Sequence, residues 1–419
     1  MGADIVMDIA MYVFAILFAF LTFTFGTAVL ASFKKREFKN FEPKVSVVIP
    51  AYNEEKEIIS CLDSIYSLEY PKSKLEVIVV DDGSTDKTMD FLKAYKKIHQ
   101  DLIILQGNHD GKVASLNKGI KKAKHEFIFA VDADTTIDKD VLSKLVRPFA
   151  DKTAGATNGS CVVKNPNSIL GVFQALEFHC NSLMRRSFSR LFNNGIWFFG
   201  AFACYRKKVL EKIGYMNINT LVEDMDTAME IYKKGYRTIN VPDALGYTLV
   251  HSNFKPFFKQ RIRWWLGGLR TLGKNKKMFS LKSNPSILFL FISQYWWTFF
   301  ALFSFPLIAY QIYYWLPYNT QSISSLFMYL FRWFSLAGPV YVLYKIPVWG
   351  VSLYNIFGVL SGIMSISFII WAVYLFKDRL SLKNIAGIFF YFPYTIILNT
   401  TVVASIIMNI FLKKEQFIS

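Results

Sequence analysis

Three kinds of hydrophobic pattern follow one another along the chain. Residues 5–31 (IVMDIAMYVFAILFAFLTFTFGTAVLA) are apolar with one acid and no base. That exceeds the roughly 20 residues needed to cross a bilayer and predicts a transmembrane helix. From Lys44 the pattern breaks into short β-rich runs: VSVVI (45–49), LEVIVV (75–80), LIIL (102–105) and FIFAV (127–131). Such runs read as strands buried on both faces of a parallel sheet. Between them apolar residues recur at helical spacing, Ile58, Leu62 and Ile65 in one segment and Phe91, Leu92, Tyr95 and Ile98 in the next. The alternation predicts a doubly wound α/β domain, which binds ligands at the carboxyl ends of its strands. From Pro285 the chain turns apolar again, with polar breaks at 317–324, 345–349 and 377–384. Four further candidate spans lie near 286–309, 325–345, 350–376 and 385–411, and Arg332 and Lys345 count against the second of these.

Two helical stretches are amphipathic. Residues 169–192 carry Ile169, Phe173, Leu176, Leu183 and Leu191 beside Arg185, Arg186 and Arg190, a pattern suited to the membrane surface. In FKQRIRWWLGG (258–268), Phe258, Ile262, Trp265, Leu269 and Leu272 fall on one stripe of a helix, and Gln260, Arg263, Trp264 and Gly267 on the opposite face. The patterns divide the chain into an N-terminal helix with a basic flank (1–40), an α/β domain (41–250), an interfacial helix (251–280) and a C-terminal membrane region (281–419).

Composition sharpens this division. Of 419 residues, 53% are hydrophobic and 17% aromatic, too many for an ordinary soluble protein. The basic cluster Lys34, Lys35, Arg36 and Lys39 follows the first helix, where a secretory signal would have it precede. The positive-inside rule then puts the α/β domain in the cytosol of a multi-pass cell-membrane protein. A net charge of +17 on such a chain points to anionic lipid or a phosphorylated small molecule, and away from nucleic acid. Cys61, Cys161, Cys180 and Cys204 and the five histidines show no metal-site spacing, and the cysteines read as reduced and structural.

The polar clusters sit where the strands end: PAYNEE after the first, DDGSTD after the second, DAD after the fourth. Asp132 and Asp134, one residue apart, can hold a hard divalent cation, which neutralises a diphosphate. Asp81 and Asp82 stand at a neighbouring strand end, and Lys112 follows Gly111 after the third strand, facing the same crevice. Glu223 and Asp224 open a helix; acids there suit the helix dipole, and one of them is also suited to act as a general base.

In order, VVIPAYNEE, VVDDGSTD, GK with LNKG, DAD, VED and QRIRW resemble the membrane-integrated family-2 glycosyltransferases, similar to cellulose, chitin, hyaluronan and poly-N-acetylglucosamine synthases. The resemblance spans roughly residues 44–272. It implies a GT-A fold in the cytosolic domain, with helical membrane segments on both sides. It assigns nucleotide-sugar binding to Tyr52, Glu54, Asp81, Asp82, Lys112, Asp132, Gln260 and Arg263, and a Mg2+ or Mn2+ ion to Asp132 and Asp134. Asp224 would be the catalytic base beside Glu223, with Val222 where the family has threonine. Trp264, Gly200 and Ala201, the last two in WFFGAFACYRKKVL (197–210), would meet the acceptor. The expected reaction is inverting transfer from UDP-N-acetylglucosamine or UDP-glucose to a growing β-linked polysaccharide, exported through the membrane helices. Alternatives are transfer of one sugar to a lipid, and a transporter or scaffold that merely binds nucleotide.

Overall fold

The computed structural model describes residues 2–34, 36–196, 198–315, 323–376, 378 and 381–411. Helix α1 (Gly2–Phe33) leads into β1 (Val45–Ala51), α2 (Ile58–Tyr66), β2 (Leu75–Asp81), α3 (Thr88–Ile98), β3 (Ile103–Gln106), α4 (Lys112–Lys122) and β4 (Phe127–Val131). These strands pair in parallel, as the alternating pattern predicts, and the structure gives their order as β3-β2-β1-β4. Every residue of β1 and β4 is buried, which is why their sequences are apolar but for Ser46, whose Oγ donates to Glu76 Oε2 of β2. Each buried Val, Ile or Phe contributes about 1.5–3 kcal/mol relative to exposure.

The second half of the sheet was not predicted. It comprises β5 (Thr136–Ile137), α5 (Val141–Val146), β6 (Ala154–Val163), α6 (Ile169–Phe192), β7 (Phe202–Arg206), α7 (Lys207–Ile213), α8 (Glu223–Lys233) and β8 (Arg237–Thr248). The full order is β3-β2-β1-β4-β7-β6-β8-β5, with β7 antiparallel to both neighbours and β6 parallel to β8. Strand β6, AGATNGSCVV, has no hydrophobic alternation because it is buried almost throughout and packs glycine, threonine and asparagine against close neighbours. Asn240 Nδ2 donates to Asn158 Oδ1 at 2.6 Å, replacing apolar packing with a buried polar pair.

Helix α6 is capped by Ser168, whose Oγ accepts from Gly171 N, and ends at Asn193 in a left-handed conformation. The sequence predicts that it lies on the membrane surface, but the structure wedges it between the sheet and α1. Arg185 is buried, where the surface reading would have exposed it. The motif helix α9 (Phe254–Lys274) follows β8.

The remaining helices are α10 (Pro285–Trp315), α11 (Ile323–Trp333), α12 (Ala337–Trp349), α13 (Leu353–Leu375), α14 (Leu382–Phe389) and α15 (Tyr391–Phe411). Four stretches, Asp8–Phe33, Pro285–Ala309, Asn355–Leu375 and Tyr391–Phe411, are long and apolar enough to cross a membrane. Two expected spans change. Residues 325–345 are two helices bent by 102° at a break, near Arg332. Residues 385–411 divide at Phe390, so that the crossing stretch is α15 while α14 packs Gly387 against Val172 and Leu176 of α6. The polar ends at 377–380 and 412–416 fall largely outside the described residues. Helices α1 and α10–α15 enclose a cavity of about 930 Å³, whose wall along α13 runs from Asn355 to Ile369. At 1.5 Å per residue that is about 21 Å, most of a hydrocarbon core.

Candidate active site

The turn after β1 is stitched to the turn after β2 by short polar side chains. Asn53 adopts φ 56°, its amide donates to Ser84 Oγ at 3.0 Å, and its Oδ1 accepts from Thr85 N at 2.8 Å. Glu54 N donates to Thr88 Oγ1 at 2.8 Å. So held, Tyr52 stays 42% exposed, its ring centre 4.5 Å from that of His109 in the loop after β3. An exposed aromatic pair at the strand ends is a surface on which a flat base can stack. His109 was not singled out from the sequence; its signal is the polar segment GNHDG between β3 and α4.

The first acidic pair divides its work. Asp82 accepts from the amides of Asp110 and Gly111, at 3.2 and 2.7 Å, and so fixes the loop that delivers Lys112. Asp81 is 2% exposed and keeps Oδ1 without a partner among the described residues. A buried unsatisfied carboxylate oxygen is costly and marks Asp81 as the member available to a ligand.

Lys112 joins two motifs that lie about ninety residues apart. Its Nζ is 2.8 Å from Asp132 Oδ1 and 3.1 Å from Glu223 Oε1. Partial burial of the ammonium is outweighed by Asp132 and Glu223, which raise its pKa, so it stays charged. Burial pushes Asp132 up to about 6, with Lys112 pulling down and Asp134 pushing up. Burial, then Asp134 and Asp132, lift Glu54 to about 7. Three carboxylates thus share a crevice and repel one another, an excess of negative charge that a bound cation relieves. Among the described residues no three His, Cys, Asp or Glu side chains form a ready metal cage, so Asp132 and Asp134 would need oxygens from the ligand to complete one.

The base motif lies across the crevice. Asp224 stands in the first turn of α8, and a Cβ on Gly200 would come within 2.9 Å of Asp224 Cβ and 3.0 Å of its Oδ2. Glycine is required there by close approach. The next residue, Ala201, accepts a hydrogen bond from Asp132 N at 2.8 Å. The Gly200–Ala201 pair therefore spaces the metal-type motif from the base motif. Trp197, at the start of the same predicted segment, lies outside the described residues. Burial, then Glu223, push Asp224 up to about 7. Burial also pushes Glu223 up, but Lys112 overrides it and holds Glu223 low. Neighbouring acids are thus driven apart, one ionised and one poised to exchange a proton near neutrality.

Val222 occupies the place of the family's threonine. Its side chain packs on α9, where a Cβ on Gly267 would meet Val222 Cγ1 at 2.7 Å, and its amide donates to Thr220 Oγ1 at 3.3 Å. Arg263 Nη1 donates to Leu221 O at 3.0 Å, tying the same segment to α9 from the exposed side. Trp264 packs against the edge of the main core, and Gln260 is half-buried with no hydrogen bond among the described residues. The wheel places Gly267 on the ligand face, whereas it is buried against Val222 and Leu221. The structure thus brings together Asp132, Lys112, Glu223, Asp224, Gly200, Ala201 and Arg263, and leaves Gln260 outside that network. Sequence reasoning missed Arg185, whose guanidinium is 5.1 Å from the centre of the Phe199 ring and whose Nη2 donates to Ser182 Oγ.

A mixed sheet whose parallel half ends in acidic turns, with a second acidic motif across the crevice, is the architecture of a GT-A fold. Residues 46–214 match the family described as Glycosyl transferase family 2. The chain is 32% identical over 230 residues to poly-beta-1,6-N-acetyl-D-glucosamine synthase of Staphylococcus epidermidis, covering 54% of this chain and 55% of that protein. It is 29% identical to the synthase of the same name from Staphylococcus aureus strain COL, over 54% and 55%. The chain spans about half the length of the curated relatives it matches. A mannosyltransferase from Pyrobaculum calidifontis, solved with GDP-Man and Mn2+, has a similar fold with a TM-score of 0.64 at 22% identity, over 97% of this chain and 99% of that one.

Proposed function

We propose that this protein transfers a sugar, with inversion, from a nucleotide sugar to the growing end of a β-linked polysaccharide. The observation that carries the reading is the single network in which Lys112 bridges Asp132 and Glu223 while Asp224 abuts Gly200. Tyr52 and Asp81 bind the nucleoside, Asp82 fixes the loop that presents Lys112, and Lys112 and Arg263 balance the charge of the departing diphosphate. Asp224 accepts the proton of the acceptor hydroxyl as that oxygen bonds to the anomeric carbon, and the bond from that carbon to the diphosphate breaks. Asp132 and Asp134 fit a Mg2+ or Mn2+ ion, whose chemistry is to neutralise charge on the diphosphate. The names of the similar synthases favour UDP-N-acetylglucosamine as donor.

The cytosolic face of the membrane is where such donors are found, and the basic flank after α1 agrees with a catalytic domain there. The cavity is wide and aromatic, with Trp297, Phe300, Tyr329, Trp349, Tyr391 and Phe392 in its wall, features that suit passage of a glycan during export. The same apolar lining favours a second reading, transfer of one sugar to a lipid acceptor.

The test is release of nucleoside diphosphate by the full chain in lipid with Mg2+ or Mn2+, across a panel of nucleotide sugars, with products sized. A high-molecular-weight glycan, lost in Asp224→Asn, supports the synthase. A glycolipid bearing one sugar supports the second reading, and no turnover with any donor overturns both.

A further inference from the structure

Beside the signature face of α9 lies a buried polar group that the reaction does not use. Arg261 is 6% exposed, and its Nη1 donates to Glu177 Oε1 of α6 at 2.7 Å. Tyr394 of α15, fully buried, donates to the other oxygen of Glu177, and Arg261 Nη2 lies 3.5 Å from the Tyr394 hydroxyl. The Arg261 guanidinium carbon is 4.6 Å from the centre of the Trp264 indole and 5.0 Å from that of Phe257. One guanidinium thus ties together the helix under the sheet, the motif helix and a helix long and apolar enough to cross a membrane, and lies over the indole of the signature tryptophan.

Such a group is a poor device for stability alone. Removing two ions from water carries a desolvation cost, and packed apolar side chains of similar volume often serve as well or better. Arg261 Nε has no partner among the described residues, so even the paired ion is incompletely satisfied. What a planar guanidinium supplies, and an aliphatic chain does not, is a fixed plane on which an indole stacks. Helix α15 also carries Tyr391, Thr395 and Asn399 of the cavity wall, so the group that orients Trp264 is fastened to the wall of the cavity.

We propose that Arg261 is a positioning residue: held by Glu177 and Tyr394, it sets the plane of the Trp264 indole for stacking on the acceptor sugar and registers that plane to α15. The inference rests on the reading above only in putting Trp264 at the acceptor. It makes Arg261 a determinant of acceptor affinity and of product length, with no part in donor binding or proton transfer.

The test uses the full chain in phosphatidylglycerol–phosphatidylcholine nanodiscs, with UDP-N-acetylglucosamine as donor and a β-linked GlcNAc oligosaccharide of defined length as acceptor. Wild type, Arg261→Met, Arg261→Lys, Tyr394→Phe, Trp264→Ala and the double variant Arg261→Met/Trp264→Ala are compared. Arg261→Met is expected to raise acceptor KM about tenfold and shorten the product while donor KM stays within about twofold, a ΔΔG of about 1.4 kcal/mol. Tyr394→Phe does the same more weakly, and Arg261→Lys, which keeps charge without the plane, recovers only part. In the Trp264→Ala background Arg261→Met has no further effect on acceptor KM. Full additivity in the double variant, or equal losses in donor KM, acceptor KM and thermal stability, would overturn the role of Arg261. An unchanged acceptor KM in Trp264→Ala alone would instead overturn the acceptor assignment of Trp264, and this inference with it.

Discussion

The two halves of the sheet meet at β4 and hold their functional side chains in different ways. On the proposed donor side, β1–β4 are largely apolar strands, with the polar pair Ser46–Glu76 buried between β1 and β2, and the turns beyond them are stitched by Ser, Thr, Asn and Asp hydrogen bonds. On the proposed acceptor side, β6–β8 are mixed in direction, and the candidate groups are set by close approach at Gly200 and Gly267 and by buried charges on α6 and α9. A stitched turn shares its load over several bonds of about 1 kcal/mol each, and losing one leaves the rest. A position set by contact has no such reserve, because added volume must displace its neighbour. Small changes on the acceptor side should therefore cost more than equally small changes on the donor side.

The base itself is the largest test. Asp224→Asn removes the proposed proton acceptor without changing volume, and kcat should fall by about 10²–10⁴. Glu223→Gln, which disturbs Lys112 without removing the base, should cost less. If Glu223→Gln proves the more damaging in diphosphate-release kinetics, the two roles are reversed.

Gly200→Ala adds one methyl where 2.9 Å separates it from Asp224 Cβ. The base must shift by a sizeable fraction of an ångström, and a misplacement near 1 Å costs about 100-fold. The loss should appear in kcat, with donor KM little changed, because Asp132 keeps its own hydrogen bond to Ala201. Unchanged kcat would mean that Asp224 moves freely in the resting enzyme.

The contrast also explains what was readable in the sequence. Runs such as VSVVI and FIFAV have one structural meaning when bounded by polar turns, so β1–β4 and the motifs at their ends could be assigned by inspection. Strand β6 could not, since its glycines, threonines and asparagines take their meaning from Phe202 and Asn240, far away in the chain. The same holds for α6, where Arg185 and Glu177 look like surface residues until Phe199 packs on the first and Arg261 pairs with the second. The base motif was readable as chemistry. Its spacing from Asp132 through Gly200 and Ala201 was not, because it depends on the unpredicted strand β7 being laid beside β4.

Lys112 tests whether the halves communicate. Lys112→Met leaves Asp132 and Glu223 facing each other without a counter-charge, and losing charge-assisted bonds of about 1.5–3 kcal/mol should raise donor KM by about 10–100-fold. It should also raise the pH at which Glu223 ionises, since Lys112 is what holds that group low. A donor effect without any change in the pH profile would confine Lys112 to the donor half.

The pH profile separates the halves by their titrating groups. Asp224 is raised to about 7 and, as the proposed base, works only when ionised, so activity should be lost as pH falls below about 7 and kept above it. One such group gives about a tenfold fall per pH unit. Glu54, also raised to about 7, loses its charge in the same window and steepens the limb. Glu54→Gln should return the slope of log kcat/KM toward one. A limb that keeps its steep slope in that variant would remove Glu54 from the donor site.

The smallest effect belongs to the stitched turns. Ser84→Ala deletes the acceptor of the Asn53 amide, yet Asn53 Oδ1 still accepts from Thr85 N and Glu54 N still donates to Thr88. The lost bond is solvent-exposed, so its net contribution is at the low end of about 0.5–1.5 kcal/mol and donor KM should rise only about two- to threefold. The double variant Ser84→Ala/Thr88→Val is the sharper experiment. If load is shared across the turn, the pair should cost more than the sum of its singles, because the second loss frees Tyr52 from its place beside His109. If the singles simply add, the turn is held by backbone geometry at Asn53 and the difference between the two halves narrows to the glycine contacts alone.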